Sequence, residues 1–581
     1  MPFHRSSTFG DALDSPAARA VLETFLPGVA ASPMALQYRG VRLGQLVGLV
    51  PQLEEPEARE RLWTALADVE DGDEAPRAHP PAVDPDPAYE GEDVRHASAP
   101  ASVSSPVPRW GVVEVRLDGP SHGNPFVDVE LDAVFRRGGR ELRAGGFYDG
   151  DGAWIVRLLA DEEGEWTFET RSTARSLDGV TGAFSVTAAE EGAHGPVRVD
   201  GFHFRHADGT RYRPVGTTAY AWTHQPEALQ EQTLATLEGS PFTKVRMCLF
   251  PKSYLYNGNE PEDFPFPGSA ASGFDLERFD PSHFRRLEKR IRQLGERGVE
   301  ADLILFHAYD RWGFADLGPA VDDRVLRYVV RRLSAFANVW WALANEYDLL
   351  WAKTEEDWER FARIVVEEDP HGHLRSIHNC RPFYDQTRPW VTHASVQRQD
   401  VYRTAEFTDE WRARWGKPVV IDEVGYEGDI DQGWGSLTAE ELVRRSWEGA
   451  VRGGYVAHGE TYLADDEVLW WSKGGVLKGS SPERLAFLDG ILAEAPEGAI
   501  DPLPSDWDVP WGGVAERYLI GYFGFNRPRF RNLVLPGDGE WHVDVIDTWN
   551  MTVERRPGLH RGTYRVELPG RQYIAVRLVA A

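Results

Sequence analysis

A chain of 581 residues, 42% hydrophobic and 12% aromatic, has room for several domains with cores of their own and is too apolar to be mostly disordered. Its 92 acidic residues against 63 Lys and Arg leave a net charge of −29, which repels phosphate backbones and acidic membrane surfaces and so disfavours nucleic-acid and membrane partners. The two cysteines, Cys248 and Cys380, cannot make a disulfide framework and suit a reducing compartment. The N-terminus, MPFHRSSTFGDALDS, shows no continuous apolar stretch with a cleavage site, and no run of about 18 apolar residues follows. The expectation is a cytoplasmic protein.

Residues 1–69 carry apolar side chains at helical spacing: Leu13, Val21, Leu22 and Phe25, then Leu43, Leu46, Val47 and Val50, then Leu62, Leu66 and Val69. Pro27, Pro33 and Pro51 mark the breaks. So small a core is marginal alone, which predicts packing on a neighbour. Residues 70–108 turn acidic and rich in Pro, Ala and Ser and read as a linker. Over 109–200 the period changes to two in VVEVRL, FVDVELDAVFR, AWIVRLL and EWTFETRS, separated by Gly/Asp turns, which predicts an Ig-like β-sandwich. Asp149-Gly-Asp151-Gly lacks the remaining oxygen ligands of a calcium loop and reads as a hairpin turn.

Residues 201–500 alternate strands and helices. Candidate strands are 213–221, 242–250, 299–307, 338–345, 373–379, 390–397, 417–423 and 453–460. Asp280 caps a helix that begins at Pro281 and lines up Phe284, Leu287, Ile291 and Leu294 on one face. Thr438 with Glu441 reads as a capping box, and Ser481-Pro482 opens the last helix. Eight such units imply a (β/α)8 TIM barrel. About ten residues join strands five and six, too few for a standard helix, so that unit is expected to be degenerate. Residues 501–581 return to period two and predict a C-terminal β-sandwich. The fold class is thus multidomain: a central TIM barrel flanked by an Ig-like and a C-terminal sandwich, with a small N-terminal helical segment.

In NVWWALANEYDLLW the apolar run Val339 to Ala344 ends abruptly in Asn345-Glu346. A carboxylate and an amide at the tip of a buried strand are costly unless paired or used, and that tip is where parallel barrels keep their chemistry. If Glu346 points inward, Trp341 and Leu343 face the helices. On strand seven Glu423 shares parity with Ile421 and Val419, which turns Asp422 outward. Two glutamates at the tips of strands four and seven then aim into one mouth. Carboxyl groups about 5 Å apart there serve retaining glycoside hydrolysis, one protonated as general acid and one ionised as nucleophile.

Asn345-Glu346 closing strand four, with Glu423 closing strand seven in PVVIDEVGY, resembles the clan A retaining glycoside hydrolases. The architecture is similar to apiosidase-like barrels preceded by an Ig-like domain and followed by a small β-domain, over roughly residues 105–581. The resemblance implies that Glu346 is the acid/base, that Asn345 binds the sugar 2-hydroxyl and that Glu423 is the nucleophile. The clan often has a Tyr on strand six in contact with the nucleophile, whereas WVTHASVQ offers His393 and Gln397.

The remaining candidates each have a structural alternative. Arg246, inside strand two, would keep a neighbouring carboxylate ionised or simply bridge strands. His307 and His378 would bind sugar hydroxyls or be satisfied core histidines. Glu460, at the end of strand eight, is a rival carboxylate or an ordinary hydrogen-bonding group, and Glu427 lies close to Glu423. Trp470 and Trp471 would form a flat sugar platform or core, and Trp222, Tyr309 and Trp312 fall in similar mouth loops. No HExxH or other metal-ligand spacing links the histidines, so neither metal nor cofactor is expected. Long loops at 251–279 and 461–479 would narrow the mouth, favouring exo action on short oligosaccharides. A carbohydrate is the expected partner, and homo-oligomerisation stays open. A transglycosylase or sugar-cyclising enzyme would use the same glutamates; a non-catalytic glycan-binding protein would keep the Trp surfaces without needing both.

Overall fold

The computed structural model describes residues 2–32, 35, 38–39, 41–53, 55–70, 79–398, 400 and 402–581. Residues 71–78 of the expected linker, and the expected break at Pro33, lie outside the described residues. Among the described residues no helix is long and apolar enough to cross a membrane.

Eight parallel strands form the centre: β1 (Gly216–Thr218), β2 (Lys244–Cys248), β3 (Glu300–His307), β4 (Val339–Asn345), β5 (Arg375–Ser376), β6 (Ala394–Gln397), β7 (Val419–Glu423) and β8 (Tyr455–Val456). Each of β1 to β4 pairs with the next, as do β6 and β7. Just past β8, His458 pairs with Thr217 and closes the ring. Between β5 and β6 side chains replace part of the ladder. Thr392 Oγ1 donates to Arg375 O at 2.9 Å and accepts from Arg375 N at 2.8 Å, and Asn379 Nδ2 donates to Gln397 O at 3.1 Å. The expected strands one, five and eight are therefore much shorter than their apolar patterns suggest, and the short fifth unit has no helix before β6.

Where apolar periodicity is strong, the helices form as expected. Pro281–Gly295 starts on the Asp280 cap and buries Phe284, Leu287, Ile291 and Leu294. Thr438 caps Ala439–Val451 by accepting from Glu441 N, but the Glu441 carboxylate turns to Arg444 and Arg445. Outside the barrel strands Trp341 and Leu343 pack into the main core, and Val419 and Ile421 pack against Trp411 and Trp415. Inside, Phe204, Trp340, Leu374 and Val420 plug the bottom. Midway, the buried Lys244 ammonium binds Asp302 at 2.6 Å and Asp422 at 2.8 Å, and Ser395 Oγ donates to Asp422 at 2.5 Å. So Asp422 faces inward, the reverse of the parity reading. Val420 and Asp422 occupy the inner face, and Glu423 reaches the mouth because it ends the strand.

Strands from Ala101 to Thr187 hydrogen-bond in one continuous curled order around Val113, Val115, Trp154, Val156, Trp166 and Phe168. The first of them, Ala101–Val103, falls inside the stretch read as linker. Asp149 to Gly152 do form a hairpin turn, and Asp149 Oδ1 accepts from Arg332 of the barrel at 2.8 Å. Residues 501–580 make a six-stranded and a two-stranded sheet. Helices Phe9–Asp14, Pro16–Phe25, Leu43–Leu49 and Pro56–Ala67 gather around Phe9, Leu22, Leu43, Leu62 and Leu66, and this small core rests on the barrel: Tyr254, from the loop after β2, packs into it.

Candidate active site

A cavity of about 430 Å³ opens at the C-terminal ends of the strands, and Asn345, Glu346 and Glu423 all line it. A larger cleft of about 640 Å³ in the C-terminal domain contains neither glutamate.

Glu346 follows β4 in the left-handed conformation, φ 53° and ψ 60°. A non-glycine residue there costs about 1–3 kcal/mol and persists only where its surroundings hold it. The turn lets Asn345 and Glu346, whose side chains would alternate on a regular strand, face the same cavity. Their contact follows: Asn345 Nδ2 donates to Glu346 Oε2 at 3.1 Å. A second irregularity assists, since the β6–β7 register shifts between Val396 and Gln397, setting Gln397 opposite Glu423. Gln397 Nε2 then donates to Glu346 Oε1 at 3.0 Å. The Tyr309 hydroxyl donates to Glu346 Oε2. Burial, and next the charge of Glu423, push the Glu346 carboxyl up to about 7, against the Tyr309 hydrogen bond and the Lys252 charge. A carboxyl with that pKa is half protonated at neutral pH, as a general acid needs.

Glu423 is partly open to the cavity and accepts from a cation and a phenol. Arg246 Nη1 donates to its Oε1 at 3.2 Å and to Asn345 Oδ1 at 2.8 Å. Tyr220 donates to the same Glu423 oxygen and lies 3.1 Å from Asn345 Oδ1. The phenol beside Glu423 thus comes from the end of β1, not from strand six. Its hydroxyl stays protonated, because burial raises its pKa well above the usual value. Lys252 Nζ sits 3.5 Å over the Tyr220 ring, 4.4 Å over Tyr309 and 5.0 Å over Trp471. Burial lowers its pKa to about 8. Trp471 stands edge-on to Tyr220 at 5.9 Å and against Trp434 at 5.0 Å, and all three rings line the cavity.

Several expected site residues lie elsewhere. Trp470 is fully buried and donates Nε1–H to Thr217 Oγ1 at 2.8 Å, so it locks the barrel closure while its neighbour Trp471 meets the cavity. His307 ties β3 to the loop after β2 through Phe250 O at 3.1 Å, and burial holds its pKa near 3. His378 lies buried beneath the site, with Nε2 4.0 Å from Glu423 Oε1. Burial, and then the Arg246 charge, keep it neutral. His393 is in the barrel floor, 5.1 Å from the Trp340 ring. Trp222 and Trp312 are core residues, whereas Tyr309 is at the site.

Glu460 lies outside the cavity lining and holds a loop. Lys478 N and Gly479 N donate to its two oxygens, while Glu427 accepts from Tyr462 Oη, Ser480 N and Ser481 N. Among the described residues Glu427, His458 and Glu460 are the one group whose ligand atoms lie within 4.8 Å of one another. Every carboxylate oxygen of that group already accepts a protein donor, which satisfies the charge without a cation.

Sequence reasoning missed Tyr220, Lys252, Tyr254, Tyr426, Trp434 and Tyr38. Only Tyr426 carried a local signal, three residues beyond Glu423 in EVGY.

A parallel barrel with paired glutamates in a cavity at its C-terminal face is the arrangement of a glycoside hydrolase, and comparison with known proteins agrees. Residues 200–485 match the apiosidase-like catalytic domain, and residues 106–173 and 507–579 match two domains of unknown function, DUF5060 and DUF5605. A solved structure from Bacteroides vulgatus, assigned to the glycoside hydrolases, is 37% identical, with a TM-score of 0.78 over 82% of this chain and 100% of its own. A glycoside hydrolase family 5 structure from the same organism, 15% identical with a TM-score of 0.53 over 66% of this chain and 94% of its own, shares the fold. No curated protein matches this sequence. The chain belongs to the apiosidase-like glycoside hydrolases, and its substrate is a carbohydrate.

Proposed function

We propose that the enzyme cleaves glycosides with retention, by double displacement through Glu423 and Glu346. The observation that carries this reading is the meeting of the two carboxyls in one cavity with opposite surroundings. Glu346 is buried and pushed towards its protonated form, whereas Glu423 faces Arg246 and Tyr220. Glu423 attacks the anomeric carbon, the glycosidic C–O bond breaks, and the Glu346 proton passes to the departing oxygen. Water then attacks the same carbon, returns a proton to Glu346 and releases the sugar from Glu423. Asn345 Nδ2, shared with Glu346, is the donor offered to a sugar hydroxyl. Arg246, beneath the cavity floor, positions Asn345 and Glu423. The small cavity, bounded by Lys252 and Tyr254 of the loop after β2 and by Trp471 of the loop after β8, favours exo action on short oligosaccharides.

An aryl-glycoside screen with Glu423→Gln as control tests the reading. Turnover in the parent that vanishes in the variant is expected, and turnover that survives the substitution overturns the assignment of the nucleophile.

A further inference from the structure

The N-terminal helical segment belongs to none of the three matched domains, yet Tyr38, within it, lines the same cavity as Glu346 and Glu423. We infer that this segment forms one wall of the leaving-group subsite, with Tyr38 in contact with the departing sugar. The inference rests on the assignment of Glu346 as acid/base.

Position is the first argument. The Tyr38 hydroxyl lies 3.4 Å from that of Tyr254, the Tyr254 ring is 4.6 Å from Tyr309, and Tyr309 donates to Glu346. Tyr38 is therefore reached from Glu346 through two rings. Glu423 has its own aromatic surround in Tyr220, Tyr426, Trp434 and Trp471. A general acid must lie beside the oxygen it protonates, so the Glu346 side of the cavity receives the leaving group and the Glu423 side the sugar that is attacked.

Anchorage is the second. A Cβ on Gly44 would stand 2.5 Å from the Trp351 ring, and one on Gly48 would stand 3.2 Å from Leu349 Cδ2. The helix Leu43–Leu49 therefore lies flush against the turn that follows Glu346. Asp348 of that turn is itself fixed, because its carboxylate accepts from Cys380 N at 2.6 Å and Arg381 N at 3.0 Å. The segment is thus seated on the structural unit that carries the acid.

Chemistry is the third. Two tyrosines offer hydroxyls that exchange hydrogen bonds with sugar hydroxyls and rings that cover the apolar face of a sugar. Tyr38 is itself largely buried, which suits a single sugar as leaving group.

The test compares Tyr38→Ala and Tyr38→Phe on two substrates with the same attacked sugar: a disaccharide and the corresponding glycosyl fluoride, whose leaving group reaches no wall. For Tyr38→Ala, kcat/KM should fall about tenfold or more on the disaccharide, the effect of one lost side-chain contact, and stay within about twofold on the fluoride. Tyr38→Phe should fall between parent and Ala. Gly44→Leu, which forces the segment off Trp351, should reproduce the selective loss without touching Tyr38. Equal losses on both substrates, or no loss on either, overturn the inference. A selective loss reports contact with the leaving group whatever the mechanism, so Glu423→Gln retaining turnover of the fluoride would sink the two-glutamate reading separately.

Discussion

Replacing Tyr309 by Phe removes one donor to the Glu346 carboxyl and leaves the ring in place. The hydroxyl donates to Oε2, which Asn345 Nδ2 also addresses at 3.1 Å, while Gln397 Nε2 serves Oε1 at 3.0 Å. Donors favour the ionised form, so the loss should raise the pKa. A hydrogen bond to a charged group contributes about 1.5–3 kcal/mol, and one pKa unit corresponds to about 1.4 kcal/mol, which gives about one to two units. Asn345 and Gln397 remain, and the lower end, about one unit, is expected. Glu346 acts as acid only while protonated, and burial with the Glu423 charge already holds its pKa near 7. Activity of the parent should accordingly fall as pH rises through about 7, and the variant should hold its activity about one unit further. The assay is kcat/KM against pH with a poor leaving group, whose departure needs the proton. An alkaline limb that stays put or moves down would refute the reasoning, because it would mean that Glu346 is not the group titrating or that Tyr309 does not stabilise its anion.

Glu346→Ala should lower kcat about 10²–10⁴-fold on substrates with poor leaving groups, spare those with good ones, and be rescued by azide; uniform loss across leaving groups would count against the acid/base role. Lys244→Met leaves Asp302 and Asp422 buried without their shared cation. Breaking a buried ion pair in this way costs about 3–5 kcal/mol, so the unfolding transition that abolishes activity should move to clearly lower temperature, and an unmoved transition would show that the pair is dispensable.

The parts of this fold that were legible are those where a local pattern maps directly onto burial. Val339 to Asn345 is a strand because an apolar run closed by a polar pair has few other folded forms, and all seven of its residues are buried. The shortness of β5 was not legible, because on its β6 edge the Thr392 side chain takes the place of part of a ladder that propensity reports. Parity failed on strand seven, where counting back from Glu423 put Val419 and Ile421 on the inner face, although they pack outward against Trp411 and Trp415. Regular alternation carries Val420 and Asp422 inward, where Asp422 meets Lys244, and Glu423 reaches the mouth only as the last residue of the strand, while the left-handed turn at Glu346 brings it to the same cavity as Asn345. Trp470 and Trp471 look alike in sequence. The short helix Trp470–Lys473 sends one into the closure beside Thr217 and the other into the cavity. Tyr220, Lys252 and Tyr38 reach the site from segments far apart in the chain, and no spacing rule joins them.

The central claim is that Glu423 bonds covalently to the sugar. Incubating the enzyme with an activated 2-deoxy-2-fluoro derivative of a sugar it cleaves, then digesting it and weighing the peptides, tests that claim most directly. The account predicts stoichiometric inactivation with the added mass on Glu423. Label on Glu346 or Glu460, or turnover that yields the inverted anomer with no labelled protein, would contradict it.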